Sequence, residues 1–569
     1  MNWLALLSTV ALTIHSQAQE ATEEPSSSTG MQHTETTSHS EDRTKIFIGN
    51  AKGLLLLGSP NQVVSTSLSG VRGVQVVDVN IPGGISSLAK VLNPIFLGQQ
   101  IGQEEVAALK KAIISHYKNH GHPVVAVQIP AQDVTDGVLQ LVVIEGRVGK
   151  IMVEGNKWFS SDRIQNYLSV KPKKEIDEDL LMEDIVFINR NPFRRTDVIY
   201  APGEEPGYTD IRLLTSDHFP VRVYAGGENT GVYATGHERW VGGVIWANAW
   251  NLDHVLGFQY SSSTDFKKFQ AFAGNYEIPT PWKHTALFFG GYSKVLAAIP
   301  GFAHMTNNGN SAQVSGRYKI PMRLHSGWLS EFSFGVDWKR TNNTVEFGGL
   351  GPPIVAQNAN LFQFMAGYAG SLELSKFRMS MDLEIFGSPL LFLPNQNDKA
   401  YGSLVPKATA QYGYGRTSWA FMFRLPREFS FSILARGQYA AMNLLPTEQY
   451  GIGGYSTVRG YEERQLNYEQ AVLASGELRT PAIGIIKRYK TKINDGLQFL
   501  TFYDWGWGMH HTEIQGSVNS DALMGIGSGV RYSVQDWFNA RLDWGYQLLQ
   551  NSDFIGGPNM LHFAVTGSY

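Results

Sequence analysis

From residue 221 to residue 569 the chain shows no helical period; apolar and polar residues alternate instead. Phe377, Met379, Met381, Leu383 and Ile385 interleave with Arg378, Ser380, Asp382 and Glu384. Phe429, Phe431, Ile433 and Tyr439 do the same with Ser430, Ser432, Arg436 and Gln438. The last residues repeat the pattern, with Leu561, Phe563, Val565, Gly567 and Tyr569 set against His562, Ala564, Thr566 and Ser568. Successive side chains of a strand point to opposite faces, so a period of two implies strands with one apolar and one polar face. A soluble sandwich with a wet outer face and a membrane barrel with a wet lumen both satisfy this pattern.

Four features favour the barrel. The alternating region is long, and the chain is rich in aromatics, with 13 Trp, 24 Tyr and 30 Phe. Its first residues look secretory, and its final strand stops on Tyr569. Lipid offers no water to an open sheet edge, so a spanning sheet must close. Sixteen strands leave about 22 residues for each strand and its connection, which suits strands of about ten residues with short turns and longer loops. Fourteen or eighteen strands fit as well. No apolar run is long enough for a transmembrane helix.

Residues 1–18 hold an apolar centre (Leu4, Ala5, Leu6, Leu7, Val10, Ala11, Leu12) followed by Ser16, Gln17 and Ala18, and read as a signal peptide. Residues 19–45 are rich in Ser, Thr and Glu and bury too little apolar surface to offset chain entropy, so a disordered linker is expected. Residues 46–73 form an N-terminal extension in which Leu54, Leu55, Leu56 and Leu57 read as a strand.

Between 74 and 218 the period changes repeatedly. A strand near Val74 to Val79 precedes a helix over 104–117, with Val106, Leu109, Ile113 and Tyr117 on one face; strands follow over 124–129 and 138–144. The order then recurs, with a strand over 150–154, a helix marked by Ile164, Tyr167 and Leu168, a second by Leu181, Ile185 and Ile188, and strands over 193–200 and 208–214. Two β-α-α-β-β units make an internal repeat, 74–147 and 148–218, ahead of a barrel at 219–569. Each is expected to be a three-stranded sheet under a helix pair, with an edge free to accept another strand.

Composition removes several functions. Without cysteine there is neither a disulfide nor a thiolate metal site, and a net charge of -3 argues against nucleic-acid binding. Neither a Gly-x-Ser-x-Gly elbow nor a phosphate loop occurs, so no enzyme activity, nucleotide or cofactor is expected. His237 and Glu238 begin like a zinc helix but lack the second His, and His510 with His511 reads as a loop pair.

One break between alternating segments stands out. Val458, Arg459, Gly460 and Tyr461 lie among glycines in a long loop, and a loop that long asks for a purpose. Over 497–507, alternation puts Leu497, Phe499, Tyr503 and Trp505 toward lipid, and Gln498, Phe502, Asp504 and Gly506 toward the lumen. A lumenal carboxylate needs a cation or water, and an infolded loop carrying Arg459 supplies one. At about 4 Å and an effective dielectric near 20, that attraction is ~4 kcal/mol before desolvation. Gly460 permits a sharp turn, and Tyr461 can pack on the wall.

These features together resemble the two-partner secretion transporters, the haemolysin- and adhesin-exporting branch of the outer-membrane barrel-assembly superfamily. The first repeat is similar to the first POTRA domain of that family through Gly137, Val138, Leu139, Gln140 and Leu141, then Glu145, Gly146 and Arg147, then Gly155 and Asn156. The second resembles its second POTRA domain through Asn189, Arg190, Asn191, Pro192 and Phe193, then Pro202 and Gly203, then Gly207, Tyr208, Thr209 and Asp210. Glu228, Asn229, Thr230 and Gly231 resemble the barrel-opening Asp-Asn-x-Gly, with Glu in place of Asp. Val458 to Tyr461 match the loop motif, and Phe502, Asp504 and Gly506 match the wall motif Phe-x-Asp-x-Gly.

The resemblance implies an α+β pair of periplasmic POTRA repeats followed by an outer-membrane β-barrel. It further implies export of an unfolded exoprotein client, with outer-membrane lipid around the barrel. Family members commonly have an N-terminal plug helix, yet residues 19–45 show no amphipathic helix. A barrel-assembly factor and a passive porin are the competing readings. The first usually carries more POTRA units, and the second needs none.

Overall fold

The computed structural model describes residues 47–569 except 65–66, 206, 299–304, 324–326, 348–354, 487, 490–492, 515, 517 and 551–556. The signal peptide and linker expected over 1–45 lie outside the described residues. Two units meet between His218 and Phe219.

The N-terminal unit starts with β1 (Gly53–Leu57), β2 (Gly73–Val77), α1 (Ile85–Phe96), α2 (Gln103–Lys118), β3 (Val125–Gln128) and β4 (Val138–Glu145), whose strands form one sheet in the order β2-β1-β4-β3. The leucine run is central in that sheet: β1 pairs in parallel with β2 on one side and β4 on the other. Leu54 and Leu56 pack with Leu88, Leu92, Leu109 and Ile113 of the helices, while Leu55 and Leu57 pack with Val138 and Val142 on the opposite face. A strand covered on both faces is apolar throughout, which is why it lacks alternation. The sheet therefore has four strands where three were expected, and the extension over 46–73 holds one of them. Helix α1 buries Leu88, Leu92 and Phe96. The N-terminus of α2 is closed by the Glu105 carboxylate, which accepts from the Gly102 N–H at 2.8 Å.

The second repeat comprises β5 (Arg147–Glu154), α3 (Ser161–Asn166), α4 (Glu178–Ile188), β6 (Arg194–Pro202) and β7 (Tyr208–Asp217), with strand order β5-β7-β6. Only Gly146 separates β4 from β5. The two repeats are also joined by a backbone bond from Glu178 N–H to the Gly121 carbonyl at 2.9 Å.

Sixteen antiparallel strands, from Val221–Glu228 to Asn559–Ser568, form the closed barrel of the second unit. The last strand pairs with the first from Ala564 opposite Glu228 to Ser568 opposite Tyr224. Asn229 prolongs this short seam with its side chain, donating to the Leu561 carbonyl at 2.5 Å and accepting from the Phe563 N–H at 2.7 Å. Outward positions are apolar and exposed, among them Phe258, Phe272, Phe288, Phe334, Tyr503 and Trp544. Inward positions are polar and buried, among them Gln259, Gln313, Asp337, Lys339, Gln363, Asp504 and His562. The wall is uneven in height. Strand Val221–Glu228 has 8 residues, whereas Trp328–Phe347 has 20 and Val355–Glu373 has 19.

Candidate functional site

Strand Ser430–Ala440 ends at Ala440, and the chain leaves the wall there until strand Gln470–Arg479 resumes it. Between them, Tyr450–Ile452 and Leu466–Tyr468 pair only with each other. Ile452, Val458, Tyr461, Leu466 and Tyr468 form a small core with Ala471, Leu473 and Leu523 of the wall. The wall is glycine-rich where the loop lies on it. A Cβ on Gly506 would sit 2.6 Å from the Ile452 side chain and 3.1 Å from Val458; on Gly525 it would lie 2.1 Å from the Arg459 carbonyl oxygen. On Gly545 it would reach the Gly460 nitrogen at 2.5 Å. Bare backbone at these positions lets a second backbone approach.

The seven residues singled out in the sequence meet at one place. Arg459 grips Asp504 in a fork, Nε to Oδ2 at 2.8 Å and Nη2 to Oδ1 at 3.0 Å, and its backbone N–H donates to the same carboxylate at 3.1 Å. Its remaining nitrogen, Nη1, donates to Glu477 at 2.8 Å and lies 3.7 Å from Asp543. The guanidinium rests on the Phe502 ring, 3.4 Å from its centroid, so that ring supports the cation from beneath. Asp504 is fully buried, as is Asp543, and Arg459 nearly so. Gly460 has φ 99°, and its N–H donates to His562 Nε2 at 3.0 Å while its carbonyl accepts from Gln547 at 2.7 Å. The Tyr461 hydroxyl reaches the carbonyls of Met524 at 2.9 Å and Leu549 at 2.5 Å.

A second anchor was not read from the sequence. Glu448, on the ascending arm of the loop, is fully buried and takes Lys339 Nζ at 2.8 and 3.0 Å, the Tyr414 hydroxyl at 2.6 Å and Gln363 at 3.2 Å. Its backbone carbonyl accepts from Arg416 and Gln438, each at 3.0 Å. Lys339 stands on Trp328–Phe347, half the ring away from the strand Phe538–Gln547 that carries Asp543. The loop is thus fastened to opposite walls. No local pattern marks this pair, because the two residues are 109 positions apart.

The residues set aside earlier also have places. His237 pairs with Glu462 at 2.9 Å, which ties the first hairpin to the same loop, and His510 pairs with buried Glu469 at 2.8 Å. Arg239 is buried against the Phe269 ring and donates to the Thr235 hydroxyl and the Gly236 carbonyl. No cluster of metal-ligating side chains occurs among the described residues.

Known proteins place this architecture. The profile of the haemolysin secretion/activation proteins ShlB/FhaC/HecB matches residues 207–532, and that of the ShlB-type POTRA domain matches residues 76–146. The heme/hemopexin transporter protein HuxB of Haemophilus influenzae (strain 86-028NP) is 22% identical over 484 residues, covering 81% of this chain and 80% of HuxB. The outer membrane transporter CdiB of Dickeya dadantii is 21% identical over 457 residues, 78% of this chain and 77% of that one. In fold, the chain is similar to CdiB from Escherichia coli, with a TM-score of 0.74 at 16% identity over 94% of this chain and 93% of the other. With the family profile spanning more than half of its length, the chain belongs to the haemolysin secretion/activation protein family ShlB/FhaC/HecB, outer-membrane two-partner secretion transporters whose POTRA domains lie in the periplasm.

Proposed function

We propose that this transporter exports one large, unfolded, β-rich exoprotein of the haemolysin or adhesin type, and that the loop fixed by Arg459 closes the pore between export events. The observation that carries the reading is how the loop is held. Its hairpin shares no ladder with the barrel, so side chains and single hydrogen bonds fix it there. The loop can therefore leave the lumen with the sixteen-strand ladder intact. Arg459 is the closing residue, Asp504 and Glu477 receive it, Phe502 supports it, and Gly460 with Gly506 permits the contact.

The POTRA pair takes the client in extended form. Sheet edges at β2 and β3, and at β5 and β6, are the strands available for pairing. Main-chain pairing suits a client whose side chains vary along its length. The sequence carries no phosphate loop, so folding outside the cell supplies the direction of travel, and no nucleotide, nucleic acid or enzymatic step enters the cycle. Outer-membrane lipid is the solvent of the apolar outer face.

Deletion of the gene, followed by quantitative proteomics of the culture medium and the outer membrane, tests this. The expected result is loss of a single large exported protein with other barrel proteins level. A joint fall of many outer-membrane barrels would instead make the chain an assembly factor. Steady conductance unaffected by Arg459→Ala would make it a passive pore.

A further inference from the structure

The outer face of the tall wall carries bases where its apolar band ends. Three lateral rows are defined by register. In the first, exposed Phe272 stands opposite Tyr292, Tyr292 opposite Ala312, and Ala312 opposite Arg340. One row further from the band, Gln270 stands opposite Lys294 and Lys294 opposite Asn310. Beyond it, Lys268 gives its carbonyl to the Leu296 N–H at 2.8 Å. Lys268, Lys294 and Arg340 are exposed and share the outward parity of Phe272 and Tyr292. Strands lie about 4.8 Å apart and outward residues recur about every 6.6 Å, so the backbones of Lys268 and Arg340 stand about 20 Å apart with Lys294 between them, and their long side chains reach toward one headgroup from its two ends.

None of the three makes a contact ion pair with a carboxylate among the described residues, although the Asp265 carboxylate lies near enough to Lys268 to feel its charge. The nearest acid along the chain, Asp265, is occupied by the Ser263 hydroxyl at 2.6 Å and by the backbone N–H groups of Lys267 and Lys268 at 2.9 and 3.0 Å. The opposite rim is different: there Arg378 and Arg424 both pair with Glu373. Cations without a contacting carboxylate, one within the aromatic row and two beyond it, call for an anionic headgroup whose acyl chains lie against the band below.

We propose that Lys268, Lys294 and Arg340 form a binding site for the phosphorylated glycolipid of the outer leaflet, taking its phosphate groups while its acyl chains cover Phe272, Tyr292 and Phe288. The site rests on the outer-membrane placement and on the long-loop end facing the cell exterior, not on the export reading. Amides assist the bases: the Tyr292 hydroxyl donates to Asn310 at 3.1 Å and so orients that side chain beside Lys294.

The test uses the intact detergent-solubilised protein and native mass spectrometry with bisphosphorylated lipid A. Each base near a membrane surface changes affinity several-fold, so K268Q/K294Q/R340Q is expected to weaken binding about a hundredfold. Dephosphorylated lipid A is expected to bind wild type and variant equally and weakly, and inorganic phosphate at the same concentration to leave melting unchanged. Wild-type affinity in the variant overturns the site, as does equal affinity for the phosphate-free lipid. Melting raised equally by inorganic phosphate overturns the lipid assignment. Heat-modifiable gel migration reports folding of the variant. Should the triple variant fail to fold, K294Q alone must lose several-fold in affinity, and an unchanged value counts against the proposal.

Discussion

All three guanidinium nitrogens of Arg459 have carboxylate acceptors, and its charge is surrounded by Asp504, Glu477 and Asp543. Removing the cation leaves the fully buried Asp504 without a cation, whereas Glu477 keeps Arg479 and Asp543 keeps Arg531. Arg459→Ala is therefore expected to destabilise the closed loop by about 3–5 kcal/mol, the usual cost of orphaning a buried charge. Planar-bilayer recording checks it as a rise in resting conductance. Arg459→Lys keeps the charge but loses the fork, and an intermediate rise is expected. Gly460 makes a separate point. At φ 99° a Cβ is strained, and it would press on Gly545 at 3.1 Å. Gly460→Ala should cost about 1–2 kcal/mol of closed state, seen as more frequent channel openings with unit conductance unchanged.

At the scale of elements, the readable parts were those with a local period. Phe502, Asp504 and Gly506 share one strand face, so alternation alone turned them inward. The helix Gln103–Lys118 was legible because Val106, Leu109, Ile113 and Tyr117 recur at helical spacing. Helix α1 was harder to read: Gly83 and Gly84 stand before it and Pro94 lies inside it, and both are breaker signals. The strand β1 was visible, but its place in the first sheet was not, since pairing in parallel with two strands is a long-range property. Leu56 is fully buried there, and Leu56→Ala should cost about 2–5 kcal/mol, measured as faster proteolysis within residues 47–146 of the whole protein. Glu448 was invisible for the same reason as β1's pairing: its partner Lys339 is set by closure of the barrel. Because the two anchors share no residue, Glu448→Gln and Arg459→Ala should add to within about 0.5 kcal/mol in a double-mutant cycle on closed-state stability.

For the whole molecule, the strand count could not come from periodicity, since fourteen, sixteen and eighteen all divided the length acceptably. Sixteen follows from the ring closing through Asn229 and the final strand. The loop that folds into this ring also spans it, with Lys339 on one side and Asp504, Glu477 and His562 on the other. It works as a tie-beam across a hoop, and a hoop without its tie-beam is free to flatten or round out. Under the closure proposed above, the resting cross-section is not the gauge of what the pore admits: departure of one segment clears the channel and relaxes its frame together. A client that pushes the loop aside meets a softer ring than the closed protein presents. Export and mechanical compliance are then a single event, and the shape of the open pore belongs to the client as much as to the barrel.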